Sequence, residues 1–196
     1  MLKPVVDSSF DVAFWLIDRA LDDGEYLQPP KMHHLMFLAQ AYFASTRYGE
    51  KLMPAVFLIG PEGPIEPTIF RAMERGRPLV DTLPLEEEAL HVLDSVWRKF
   101  GPKSVASLNT IIKSHPPFAQ ARENGIGTEI SFDSMVNFYF RTLGQQEKTV
   151  RRDDAISDTL SAERVVQPKI LRSHTGKQVA VNPWLPKHFD KSDTGE

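Results

Sequence analysis

The stretch between Pro29 and Gly49 has apolar side chains on nearly every side of a predicted helix. From Met32 to Phe43 apolar residues recur three and four positions apart, which is the spacing of one buried helix face. Three more apolar residues lie on its other sides: Phe37, Leu38 and Ala41. No apolar run reaches the length of about 20 residues that a membrane span needs. The pattern therefore predicts a mainly α fold, a single helical bundle built around this central helix.

Shorter amphipathic stretches follow the same helical spacing, and each has start and stop signals. Ser8 and Asp11 have the spacing of a capping box, and Ser104 and Ser131 precede helical stripes as N-caps. Glycine or proline follows each stripe. Besides the central one, the predicted helices cover residues 10–21, 67–73, 84–100, 105–112, 118–124 and 132–143.

The middle of the chain departs from this helical pattern. The apolar run 53–59 is flanked by turn residues and is more typical of a strand than of a helix. Residues 60–67 then hold three prolines and two glycines in eight positions. Such a density of proline and glycine predicts a rigid turn without regular structure.

Helical stripes stop at Leu143, so we predict a helical domain over residues 1–143 and a largely irregular C-terminal tail over 144–196. Within the tail, we predict a marginal helix over residues 153–166 and a strand over residues 179–181 that lies beside 55–59. Residues 187–196 are expected to be disordered. Trp184 and Leu185 lie between prolines in otherwise polar sequence. Such an anchor either packs on its own domain or binds another protein.

Composition narrows the function classes. The 196 residues are 41% hydrophobic, contain no cysteine and carry a net charge of −3. Disulfides, thiolate nucleophiles and cysteine-bound zinc are therefore excluded. Asp7 and Asp11 precede any long apolar run, which argues against a secretory signal and favours a cytoplasmic protein. The acidic balance of residues 1–143 does not favour nucleic acid.

Candidate catalytic chemistry is sparse in this sequence. His33 and His34 suggest a metal, but neighbouring helix residues point about 100° apart and do not share one ion easily. A partly exposed pair that contacts a neighbouring loop is the simpler interpretation. The sequence contains no HExxH or GxSxG pattern. Two alternatives to a binding protein stay open: a metal- or histidine-dependent hydrolase that uses His33, His34 or His115, and a DNA-binding autoregulator.

Three stretches, in order, resemble the Panacea antitoxin domain, or SocA-like, family. Residues 28–40, Gln-Pro-Pro-Lys-Met-His-His-Leu-Met-Phe-Leu-Ala-Gln, are similar to the family's helix Thr-Pro-Leu-Lys-Leu-Gln-Lys-Leu-Leu-Tyr-Phe-Ala-Gln. Residues 61–67 with Phe70 resemble its Gly-Pro turn and following aromatic. Residues 115–118 resemble its later His-x-Pro segment. The resemblance covers about residues 9–143.

The sequence also departs from the family pattern at particular positions. His34 replaces the family's second helix lysine, and Phe37 replaces its tyrosine. In the turn, Glu62 stands in place of a tyrosine and Gly60 in place of a tryptophan. Any role that depends on those lysine or aromatic groups does not transfer.

The resemblance implies a non-enzymatic antitoxin that needs no cofactor and binds a protein toxin directly. In the SocA branch the antitoxin is a proteolytic adaptor that presents the toxin to the ClpX unfoldase of the ClpXP protease. The rigid turn 63–67 and the adjoining helix would then form the toxin-binding surface, and the tail would engage the protease or close over the toxin. A purely structural role of the turn, which redirects the chain between bundle elements, stays open. The candidate protein-binding residues are Lys31, His34, Glu62, Gly63, Pro64, Ile65, Glu66, Pro67, Phe70 and Trp184.

Overall fold

A computed structural model describes residues 3–146, 160, 169–172 and 178–181. The described chain is mainly helical, which confirms the predicted fold class. Its helices are α1 Ser9–Asp22, α2 Pro29–Thr46, α3 Pro67–Met73, α4 Glu87–Phe100, α5 Val105–Ser114, α6 Pro116–Glu123 and α7 Phe132–Gln146. Its strands are β1 Leu58–Gly60, β2 Gly63–Ile65, β3 Lys169–Arg172 and β4 Gln178–Val181.

Helix α2 lies at the centre of the bundle, as its pattern predicts. It packs against α1, α4, α5, α7 and β2, and its side chains from Met32 to Ser45 are all buried. Pro29 and Pro30 start the helix, where a missing N–H removes no intrahelical hydrogen bond. Since water reaches no side of α2 along this stretch, apolar residues all round it are what the position requires.

The predicted caps are present, and two helix starts differ from prediction. Ser8 and Asp11 form a reciprocal capping box, and the hydroxyl of Ser104 accepts the Ser107 N–H at 3.2 Å. Helix α4 begins at Glu87 and not at Pro84. The preceding residue Glu86 has an extended backbone, and the Leu83 N–H is bonded to Asp11 of α1. Helix α6 begins at Pro116, a residue type suited to a first turn.

The run of prolines and glycines contains a regular element, so the prediction of an irregular turn was wrong. Strands β1 and β2 form an antiparallel hairpin in which Ile59 lies opposite Pro64. The N–H and C=O of Ile59 bond to Thr128 and Gly127 on the far side of β1. The Ile59–Pro64 pair is therefore a non-hydrogen-bonded one, and proline fits there because its missing N–H has no ladder partner.

The strand predicted near 179–181 exists as β4, but its partner differs from the prediction. It pairs antiparallel with β3, with Lys169 opposite Val181. Strand β1 has no open edge, since β2 lies on one side and residues 127–130 bond along the other. Trp184, the stretch 187–196 and nearly all of the predicted helix 153–166 lie outside the described residues. None of the described helices combines the length and apolar character that a membrane crossing requires.

Leu160 brings the C-terminal region into the core of the helical domain. Its side chain is 1% exposed, and its backbone N–H donates to the Tyr42 hydroxyl at 3.0 Å. Helix α7 also continues through Gly144, the predicted stop, to Gln146. The hydrophobic core thus includes a residue beyond the predicted domain boundary at Leu143.

Truncating this contact is expected to destabilise the whole domain. Leu160→Ala should lower the free energy of unfolding by about 2–4 kcal/mol, because a buried leucine leaves a cavity. The matched control is Leu79→Ala, a fully exposed leucine, which should change stability by less than about 0.5 kcal/mol. Urea denaturation followed by circular dichroism measures both. Equal effects of the two variants would show that Leu160 contributes nothing to the core.

Candidate functional site: the histidine–hairpin junction

His34 fixes the tip of the hairpin to the central helix. Its Nε2 lies 3.0 Å from the carbonyl oxygen of Glu62, and its side chain is 1% exposed. Because a carbonyl oxygen only accepts, Nε2 carries the proton. One hydrogen bond thus joins α2 to a turn 28 residues further along the chain.

His33, the next residue, holds the other end of the same hairpin. Its Nδ1 accepts the Glu66 N–H at 3.3 Å, so its proton is on Nε2. The Glu66 carboxylate in turn accepts the Ile69 N–H at 2.6 Å as the N-cap of α3. The two imidazoles point in different directions and therefore bind two points of one loop. We define the histidine–hairpin junction as His33, His34, Glu62, Gly63 and Glu66.

Gly63 allows this close approach of hairpin and helix. Its φ of +135° lies in the region that side-chain-bearing residues rarely adopt. A Cβ built there would overlap the His34 imidazole at Nε2. The glycine is needed both for its backbone conformation and for the space that the ring occupies.

Burial changes the chemistry of both imidazoles. Burial, with a smaller contribution from charge repulsion by the neighbouring His34, lowers the pKa of His33 to about 4. Burial also lowers the pKa of His34 to about 4, although the Glu62 carbonyl opposes this by favouring the protonated ring. Both rings are therefore neutral near pH 7. The expectation of a partly exposed pair was wrong, whereas its contact with a neighbouring loop is confirmed.

The predicted binding residues of the hairpin divide into an inner and an outer set. The inner set is buried and holds the loop in place: His34, Gly63, Pro64 and Glu66. The outer set keeps solvent-exposed surface: Glu62, Ile65, Pro67 and Phe70. A partner can touch only the outer set without opening the domain.

Phe70 is the main apolar feature of the outer surface. It is 44% exposed, and its ring lies 6.0 Å from the His33 ring between centroids. The inner face of the aromatic ring is thus packed while its outer face is accessible. A fixed, half-exposed aromatic side chain is typical of an interface anchor.

Two further predicted residues lie away from this surface. Lys31 is largely covered, with 12% of its side chain exposed, and its Nζ lies 3.6 Å from a Glu25 carboxylate oxygen. It therefore supports the start of α2 more than it offers a free charge. Trp184 lies outside the described residues.

His115 belongs to a separate aromatic cluster. Its Nδ1 lies 2.8 Å from the Tyr139 hydroxyl, and its ring packs against Phe138. Burial raises the pKa of Tyr139 well above its usual value. Within the described parts of the chain, no three His, Asp or Glu side chains group closely enough to hold a metal ion.

Sequence reasoning missed two of the polar contacts that shape the domain. Gln40 binds both backbone groups of Met53, accepting its N–H at 3.0 Å and donating to its carbonyl at 3.4 Å. The Glu66 cap on α3 was missed as well, although a Glu before Pro67 is a recognisable helix start.

The three stretches that resemble the Panacea family meet at the hairpin. Helix α2, which carries the first, packs against β2, and the hairpin is the second. The third, at the boundary of α5 and α6, adjoins both strands, since α5 packs on β2 and α6 on β1. Comparison with protein families, curated proteins and solved structures finds no match to this chain. Membership of the family therefore stays a prediction.

Proposed function

We propose that this chain is an antitoxin of the Panacea type, a cytoplasmic protein that binds a toxin directly and delivers it to ClpXP. The observation that carries the proposal is the convergence of the three family-like stretches on one hairpin. Stretches far apart in sequence are brought together at one hairpin, whose outer residues Glu62 and Phe70 are exposed. A shared binding site explains why those stretches would resemble one family.

The contacts at the junction favour a binding surface over a hydrolytic site. One nitrogen of each histidine is bonded to the backbone, Nδ1 in His33 and Nε2 in His34. Both rings are buried and neutral, so they serve to hold the hairpin. A loop fixed at both ends loses little conformational entropy when a partner binds it.

The toxin would contact the outer set, with Phe70 as the apolar anchor and Glu62 as the charged neighbour. The Glu62 side chain is exposed, whereas its backbone carbonyl receives the His34 bond. A change in that side chain therefore alters the surface and leaves the junction intact. ClpX would engage another part of the chain, so that the toxin and the unfoldase bind together.

If the chain is an antitoxin, we expect the adjacent gene to encode its small toxin. Binding measurements between the chain and that product test the proposal. Phe70→Ala should weaken binding about tenfold or more, as loss of an aromatic anchor does. Glu62→Lys should weaken it too, by charge reversal. The matched control, Leu21→Ala, alters an exposed side chain of α1 and should change the Kd by less than about twofold.

The two parts of the proposal fail in different ways. No binding of the small product by the wild-type chain would contradict the antitoxin function itself. Tight wild-type binding with no effect of Phe70→Ala or Glu62→Lys would contradict only the contact surface. Circular dichroism of each variant checks that Phe70→Ala has not unfolded the domain.

A further inference from the structure

The connection between α3 and α4 presents apolar side chains to solvent. Leu79 is fully exposed, Leu83 is 60% exposed and Val80 is 40% exposed. Apolar residues on a protein surface are normally scattered singly, so three large aliphatic side chains within five residues form an unusual exposed patch. We call residues 78–83 the strap.

The strap is fixed at both ends to α1. At one end the Arg77 guanidinium forms two hydrogen bonds with the Asp18 carboxylate and lies 4.2 Å from the centre of the Phe14 ring. At the other end the Leu83 N–H donates to Asp11 at 3.0 Å. The exposed leucines therefore belong to an anchored segment, whose position costs a partner little to order.

Between those anchors the backbone has no hydrogen-bond partner within the described part of the chain. From Leu79 to Thr82, no backbone N–H or C=O bonds to another described residue. Beside this backbone a cleft of about 330 Å³ opens between the strap and Phe14. The Phe14 ring is 4% exposed and lies under Arg77, so the part of the cleft open to a ligand is the strap itself, whose unpaired main-chain groups and exposed leucines are features that bind an extended peptide.

Charge defines the chemistry of that peptide. Of the residues that the structure describes, Arg77 is the only basic one that lines the cleft, and Asp18 already neutralises it. Asp81 is the one charged residue of the strap, and it lines the cleft without an ion pair among the described residues; further along the chain, Glu88 is already paired with Arg47 at 2.9 Å. An acidic apolar surface is complementary to a segment that carries lysine or arginine between apolar residues.

We propose that the strap is a docking site for an extended, basic and apolar segment of another protein. The segment would bond to the backbone between Leu79 and Thr82, place apolar side chains against Leu79 and Leu83, and pair a lysine or arginine with Asp81. This site lies apart from the histidine–hairpin junction, and the inference does not depend on the proposed antitoxin function.

The test uses the full chain and a fluorescein-labelled heptapeptide of alternating lysine and valine, with binding read by fluorescence anisotropy. Hydrogen exchange read by mass spectrometry follows the strap amides. We expect saturable binding, with exchange between Leu79 and Thr82 slowed about tenfold or more at saturation. The same peptide with glutamate in place of lysine should not bind.

Variants separate the apolar and the charged contributions. The double variant Leu79→Ala/Leu83→Ala and the single variant Asp81→Lys should each weaken binding about fivefold or more. The control Ile126→Ala removes an aliphatic side chain outside the strap that is 74% exposed, and this variant should bind as wild type does. Because all four positions are exposed, none of these variants should disturb folding.

Three results would overturn the proposal. The first is a wild-type chain that does not bind the peptide, and the second is binding that leaves the strap amides unprotected. The third is a dimer, seen by analytical ultracentrifugation, that dissociates in the Leu79→Ala/Leu83→Ala variant. That result would assign the strap to a second copy of the chain.

Discussion

Replacing Gly63 with alanine is expected to lower the free energy of unfolding by roughly 3 kcal/mol or more, a large part of the stability of a typical domain. The new Cβ would overlap the His34 ring, and alanine is strained at a φ of +135°. To relieve the overlap, either the hairpin must leave α2 or the imidazole must leave its bond to Glu62. Urea denaturation followed by circular dichroism measures the loss.

A second glycine separates backbone strain from overlap. Gly24 also has a positive φ, +76°, but a Cβ built there meets nothing within 4 Å. Gly24→Ala should therefore cost only about 1 kcal/mol. Adding His34→Ala to Gly63→Ala makes room for the methyl group, so the double variant should be more stable than the sum of the single effects predicts. Strict additivity would show that Gly63 and His34 do not contact each other.

Acid is expected to destabilise the domain through the two buried histidines. In the unfolded chain a histidine takes up a proton near pH 6.5, whereas burial keeps His33 and His34 neutral down to about pH 4. Their contribution to stability is thus complete above pH 6.5 and is lost as the pH falls toward 4. By linkage the loss is about 3 kcal/mol for each histidine.

Protonation also acts on the hydrogen bonds themselves. A proton on Nδ1 of His33 would face the Glu66 N–H, so that two donors oppose each other. On His34 the added charge would be buried near Lys113, whose charge further lowers the pKa of His34. The hairpin and the start of α3 are therefore the parts we expect to detach first in acid.

Non-titrating variants identify the source of this pH dependence. His33→Asn keeps an acceptor near the position of Nδ1, and His34→Gln keeps a donor near that of Nε2. Unfolding free energies at several pH values between 7.5 and 4 should fall steeply for the wild type and much less for the double variant. Parallel curves for the two proteins would assign the acid sensitivity to other groups.

Local rules predicted the helices well, because their signals are short-range. Ser8 with Asp11, Ser104 and Ser131 are caps that depend on residues two to three positions away. The unusual composition of α2 predicted its central place, since an all-round apolar helix has few other positions in a chain of this size.

Features that depend on distant partners were not predictable in this way. Whether Pro64 can occupy a strand depends on Ile59 turning its hydrogen bonds toward Gly127 and Thr128. The burial of His33 and His34 depends on backbone groups supplied about 30 residues later, at Glu62 and Glu66. Periodicity does not contain that information. Leu160 lies in the stretch predicted as a marginal helix, and nothing in that local pattern indicates its place beside Tyr42.

The most direct test of the central claim is a reconstituted degradation assay. It combines the full-length chain, the small product of the adjacent gene, purified ClpXP and ATP, and it follows the amount of that product over time. We expect rapid loss of the product only when the chain is present, and slower loss with Phe70→Ala than with Leu21→Ala. Degradation that proceeds equally well without the chain, or none in its presence, would contradict the account.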